Sequence, residues 1–137
     1  RFLADVRTDR RLRDPARLGL EAVGLVARAD TLASALSHGE QRQLEIAMAL
    51  AGAPRLLLLD EPMAGMGAEE SLRMVALLSG LKSRCGMLLI EHDMDAVFAL
   101  ADRITVLVYG RAIATGTPEE IRGNPEVRQA YLGEDAV

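Results

Sequence analysis

Tryptophan is absent from the 137 residues, which include two phenylalanines, two tyrosines, one cysteine and one lysine. With so few aromatics and half of the chain apolar, the core has to be aliphatic, built from Leu, Ile, Val, Ala and Met. The lone Cys85 excludes an internal disulfide and a cysteine-based zinc cluster, and it suits a reducing compartment. No apolar run reaches the roughly 18 residues that cross a bilayer, and no signal peptide is visible. Any membrane role is therefore expected to come through a partner. The single lysine, Lys82, follows Leu81, so no Gly-Lys pair exists. Without that pair the chain cannot contain a G-x-x-x-x-G-K-[ST] phosphate loop. A net charge of −4 gives no general attraction to nucleic acid or anionic lipid. The arginines Arg7, Arg10, Arg11 and Arg13 cluster, but Asp5, Asp9 and Asp14 are interleaved with them, as on a solvated helical face. The length suits about one domain. Because it opens on Arg1 rather than Met, the chain reads as a piece, or a trimmed product, of a longer protein.

Neither an internal repeat nor a low-complexity tract is present. Leu18, Ala22, Leu25 and Val26 predict a helix over about 13–28, with Asp14-Pro15 as its start. A second helix is predicted from Gly39 to about Ala51, ended by Gly52 and Pro54, with Leu44, Ala47, Met48 and Ala51 on its inner face. Leu56–Leu59, bounded by breakers, reads as a strand buried on both faces. A helix follows over 68–83, with Leu72, Val75, Ala76 and Leu78 inward. Met87–Ile90 is a second buried strand, leading to a helix over 94–101. Strands follow at 104–109 and 112–114, around a tight turn at Gly110-Arg111. Thr117-Pro118-Glu119-Glu120 is a helix start, with a Thr cap, Pro in the first turn and Glu three residues after the cap. Strands alternating with helices imply a parallel sheet of α/β type with function at the carboxyl ends of its strands. Asp60-Glu61 and Glu91-His92-Asp93 both lie at such ends.

Three constellations carry chemistry. Ser37-His38-Gly39-Glu40-Gln41 opens the second helix, and Ser37 with Glu40 matches a capping box, which is reason enough for those two residues. The same geometry also makes an anion site, since a helix N-terminus offers amides, a hydroxyl and a glycine that allows close approach. Asp60-Glu61 after a buried strand is common in ordinary loops. In a nucleotide hydrolase, Asp60 would hold Mg²⁺ through water and Glu61 would orient the attacking water or take its proton. A lone His such as His92 is more often a structural hydrogen-bonder; beside a nucleotide it would contact the γ-phosphate.

Order and spacing join these pieces. Leu36-Ser37-x-Gly39-Glu40-Gln41-Arg42, a helix, Leu-Leu-Leu-Leu-Asp60-Glu61-Pro62 and a strand ending near His92 together resemble the ATP-binding cassette (ABC) ATPases over essentially the whole chain. Leu44–Ala47, Pro62–Met66, Ile90–Met94, Asn124–Val127 and Tyr131–Glu134 resemble the branched-chain amino-acid importer subunits. The related urea and amide importer subunits share several of these strings, including Leu36-Ser37-His38-Gly39, and the choice between the two stays open at this point.

That resemblance implies a partial P-loop NTPase (RecA-like) sheet, with residues 1–35 ending a helical subdomain and 36–137 forming the C-terminal part of the ATPase core. It implies two ATPase subunits sandwiching ATP and Mg²⁺, with transmembrane permease subunits and, indirectly, a solute-binding protein as partners, at the inner face of the membrane. Ser37, His38, Gly39, Glu40 and Gln41 would contact the ATP of the partner subunit. Asp60 would be the Mg²⁺ residue, Glu61 the catalytic glutamate and His92 the switch histidine, while residues 63–67 would cross the dimer interface. His38 departs from the glycine commonest at its place, and Gly67 from the Asp or Asn usual there. The phosphate-loop strand, missing here, would lie between the strand preceding His92 and the strand at 103–109, leaving a gap. Alone, the chain is expected not to hydrolyse ATP. A non-catalytic interaction module is the alternative from a different class, favoured by the missing phosphate loop and disfavoured by the intact Asp60, Glu61 and His92. Repair and translation ATPases lack the Pro62–Met66 string.

Overall fold

The computed structural model describes residues 9–132, the side chain of Leu132 excepted. Arg7 and Asp5, the first eight residues of the 1–35 segment, and the Gly133-Glu134 end of the C-terminal string lie outside the described residues. The chain divides into two compact units, one through Glu91 and one from His92.

The first unit opens with α1 (Arg10–Ala22), capped by the Asp9 side chain, which accepts from the Arg11 N–H. The cap therefore stands five residues before the expected Asp14-Pro15 start, and Pro15 lies inside the helix. The helix also ends earlier than its apolar spacing suggests. Gly24 takes φ +76°, the Leu25 N–H returns to the Leu20 carbonyl at 2.8 Å, and the Gly24 N–H returns to Glu21 at 3.2 Å. This is a Schellman ending, available because glycine adopts the left-handed region without a Cβ clash. It turns Val23 and Leu25 inward, where both are buried.

The next helix, α2 (His38–Ala51), begins on the capping box: Ser37 Oγ accepts from the Glu40 N–H, and Glu40 Oε2 accepts from the Ser37 N–H at 2.8 Å. Its buried residues are Gly39, Ile46 and Ala47, whereas Met48, expected inward, is 69% exposed. The α1 helix packs on α2. Gly19 faces Ala47 at this contact, where a Cβ would lie 3.6 Å from the Ala47 carbonyl oxygen, an ordinary contact distance.

Parallel strands β1 (Leu56–Asp60) and β2 (Gly86–Ile90) are joined through α3 (Ala68–Leu81). The inner face of α3 consists of Met74, Leu78 and Leu81; Leu72, expected inward, is exposed. The expectation of strands buried on both faces also requires correction. Leu57 is buried, but Leu56, Leu58, Leu88 and Ile90 are 56%, 66%, 57% and 58% exposed. Side chains alternate across a strand, so these four share one face of the two-stranded sheet, and that face is open.

The second unit contains α4 (Met94–Leu100), β3 (Ile104–Val108), β4 (Arg111–Gly116), α5 (Pro118–Gly123) and the short α6 (Pro125–Val127). β3 and β4 pair antiparallel, so not every strand joins a parallel sheet. Tyr109 and Gly110 make the turn with φ +48° and +76°, two consecutive positive values that suit the right-handed twist of a hairpin. A register shift between Val106 and Leu107 bulges β4. Ile104, Val106, Ile121 and Val127 form the core of this unit, flanked by Val97, Phe98, Ala101, Ile113 and Ala114. Arg122 lies 4.4 Å over the Phe98 ring, a cation–π contact that helps hold α5 beside α4. Thr117 and Glu120 cap α5 reciprocally, as the sequence predicts.

Candidate functional site

The carboxyl ends of β1 and β2 are adjacent because the strands are parallel and in register, Asp60 standing opposite Ile90. The next residue, Glu61, continues the ladder with one more bond, its N–H donating to the Ile90 carbonyl at 2.8 Å. It then leaves the extended region, with φ +44°. A left-handed non-glycine residue costs on the order of 1–3 kcal/mol and persists where its surroundings hold it. Here the chain turns sharply, and the following Pro62 and Met63 are buried while Asp60 and Glu61 stay exposed. Two acidic side chains are thereby presented at the strand end on an anchored turn.

That anchoring is specific. The Met63 N–H donates to Glu91 Oε1 at 2.9 Å, the Ala64 N–H to the Glu61 carbonyl at 3.1 Å, and the Met66 N–H to the Met63 carbonyl at 3.1 Å. Glu91 was visible in the sequence only as part of a polar cluster; its role as a strut depends on a partner 28 residues away.

The 37–41 segment lies against the same loop. His38 Nε2 is 3.1 Å from the Ala64 carbonyl oxygen, within hydrogen-bonding reach in the tautomer protonated there. Gly39 is buried, and a Cβ on it would meet Glu70 Oε1 at 3.1 Å, so a larger residue would push against the first turn of α3. Gln41 Nε2 lies 3.3 Å from the carbonyls of both Ala33 and Leu36, bracing the approach to α2. Glu40 is occupied on its other oxygen by Arg28, Nε to Oε1 at 2.7 Å. The Arg28 guanidinium holds the Glu40 carboxyl below its usual range, helped by the Ser37 N–H, and the Arg28 pKa is raised in return, chiefly by its hydrogen bond to Glu40. No sequence pattern pointed to Arg28, since the pairing needs the turn after α1 to bring it back to α2.

Asp60, Glu61, Glu91 and the 37–41 segment thus belong to the first unit. His92 opens the second unit; it is exposed, and Asp93 after it caps α4 by accepting from the Asp95 and Ala96 N–H groups. Among the described residues no three His, Cys, Asp or Glu side chains converge on a common metal position. A divalent cation at Asp60 would take its remaining ligands from water and phosphate, which suits Mg²⁺ because it keeps part of its hydration shell. The chain itself offers the Asp60 and Glu61 carboxylates there and, at 37–41, a helix start whose Ser37 and Glu40 N–H groups are taken by the capping box. A groove lined by Arg10, Arg13, Arg17 and Thr31 contains none of these residues. No helix among the described residues is long and apolar enough to cross a membrane.

Residues 6–64 match the family described as "ABC transporter", and residues 113–137 match "Branched-chain amino acid ATP-binding cassette transporter". The chain is 46% identical over 123 residues to the high-affinity branched-chain amino acid transport ATP-binding protein LivG of Salmonella typhimurium, covering 88% of this chain and 48% of that protein. It is 45% identical over 130 residues to BraF of Pseudomonas aeruginosa, a protein with the same description, covering 93% and 51%. A solved ATP-binding cassette of an ABC transporter in its ADP conformation superposes with a TM-score of 0.81 at 28% identity, covering 97% of this chain and 54% of that one. The chain therefore spans about half the length of the curated relatives it matches.

Proposed function

This chain belongs to the ATP-binding cassette transporter family, and from that premise we propose that it serves as part of the ATP-hydrolysing subunit of a branched-chain amino-acid importer. The observation that carries the reading is the joining of two half-sites in one unit: a helix start at Ser37–Gln41 lies against the loop that presents Asp60 and Glu61. In this reading residues 1–35 end the helical subdomain and residues 36–137 belong to the ATPase core.

Each residue then has a chemical task. Asp60 supplies a carboxylate toward hydrated Mg²⁺. Glu61, fixed by the Pro62 turn and by the Ile90 carbonyl, accepts a proton from water or orients it. The Ser37 hydroxyl and the α2 amides face a phosphate held by a second ATPase subunit, and Gly39 allows the close approach. His92, following β2, hydrogen-bonds the γ-phosphate. Bound Mg²⁺ supplies charge neutralisation of the phosphates, while the residues named here position and deprotonate water.

The phosphate loop is not among these residues, and the relatives are about twice as long. Steady hydrolysis and transport are accordingly assigned to the longer protein, paired with a second ATPase subunit and transmembrane permease subunits at the inner face of the membrane. A solute-binding protein would act indirectly. Branched-chain substrates are favoured over urea or amides by the names of LivG and BraF and by the match at 113–137.

The deciding experiment is reconstitution of the full-length subunit with its neighbouring permease genes in liposomes. ATP-dependent uptake of leucine, isoleucine or valine is the expected result. Uptake of urea or short amides alone would shift the reading to that subgroup, and no ATP turnover by the full-length assembly would overturn it.

A further inference from the structure

We propose that His38 is a positioning residue that ties the 37–41 segment, which serves the nucleotide of a second subunit, to the loop that holds this subunit's own Glu61. The proposal rests on the functional reading above and adds a connection between its two halves.

The connection is short. His38 is the first residue of α2, so it moves with the helix start that faces phosphate. Its Nε2 stands 3.1 Å from the Ala64 carbonyl, and the Ala64 N–H bonds the Glu61 carbonyl at 3.1 Å. One side chain and one turn therefore separate the helix start from the backbone of Glu61. The neighbouring Gly65 has φ +74°, and a Cβ there would lie 3.4 Å from His38 Nε2 and 3.5 Å from its Cδ2. Glycine suits this position by its left-handed φ, and the imidazole lies over it at contact distance.

The loop then has one anchor on each flank: Glu91 at the Met63 N–H and His38 at the Ala64 carbonyl. A glycine at position 38 would provide no such contact, which gives a physical meaning to the histidine found there. Because Glu61 sits in a strained left-handed conformation, small shifts of this turn re-aim its carboxylate. A helix start drawn toward the second subunit's nucleotide would move Ala64 with it, so occupancy of one site would bias the geometry of the other. Coupling of this kind is reciprocal and is carried by contiguous packed and hydrogen-bonded groups.

Two measurements test the proposal, using His38→Ala and His38→Gln, the latter retaining a donor able to reach a carbonyl. In amide hydrogen exchange on this chain, His38→Ala should accelerate exchange at Met63, Ala64 and Met66 several-fold, with His38→Gln close to wild type and the melting temperatures of all three alike. Equal exchange in all three proteins would overturn the clamp whatever the protein does. In the full-length ATPase dimer, His38→Ala should lower the Hill coefficient for ATP, and His38→Gln should restore it. Faster exchange with unaltered cooperativity would overturn the coupling. An inactive wild-type dimer would overturn the functional reading and the coupling together, leaving the clamp to be judged by exchange alone.

Discussion

Glu91 Oε1 accepts a hydrogen bond from the backbone N–H of Met63 at 2.9 Å, joining the end of β2 to the loop that follows β1. The bond is partly buried and its acceptor is charged, so its loss is expected to cost about 1–3 kcal/mol. Glu91→Ala should lower the urea midpoint accordingly, and Glu91→Gln, whose amide oxygen still accepts, should recover most of the loss. Equal midpoints for the two variants would contradict the strut.

Hydrolysis should separate from binding at Glu61. In the full-length subunit, Glu61→Gln is expected to slow phosphate release by roughly 10²- to 10⁴-fold, the usual contribution of a positioned base, while fluorescent-ATP binding persists. The 137-residue chain alone should show no steady turnover. Turnover by the chain alone that Glu61→Gln abolishes would refute that expectation.

The open sheet face should be adhesive. Leu56, Leu58, Leu88 and Ile90 form an exposed aliphatic surface on a two-stranded parallel sheet, an element ordinarily covered on both faces. Light scattering of this chain should show self-association that rises with concentration, and the pair Leu58→Thr and Leu88→Thr should shift it toward monomer. A monodisperse monomer with a cooperative melt in the unaltered chain would argue against this.

Leu78 is 1% exposed on the inner face of α3. Leu78→Ala should cost about 2–5 kcal/mol, as buried leucine truncations do. Leu72→Ala, on the exposed face, should change stability little. Comparable losses at the two positions would mean that the assigned face is wrong.

The Arg28–Glu40 pair should show in a pH series. The folded-state carboxyl of Glu40 is held below its ordinary value, so its contribution is fully present above the ordinary carboxylate range and is lost as pH falls through the lowered value. Arg28→Ala should therefore lie below wild type in stability at neutral pH, with the difference closing in acid. A difference independent of pH would point to packing rather than charge.

By itself the sequence determined the features that depend on a few neighbouring residues. The capping boxes at Ser37–Glu40 and Thr117–Glu120, the Asp93 cap and the two parallel strands all stand where the residue types required them. The family, too, was legible, because its motifs are ordered along the chain. Only the tertiary structure decided what depends on distant partners. Gly24 ended α1 early because Leu25 had a place in the core, and the inner faces of α2 and α3 were rotated from those read off their apolar spacing. The bonds from Met63 to Glu91 and from His38 to Ala64 span 28 and 26 residues. Neither has a local signature, since a carboxylate or an imidazole finds a backbone partner only after strand register and helix packing have brought the two together.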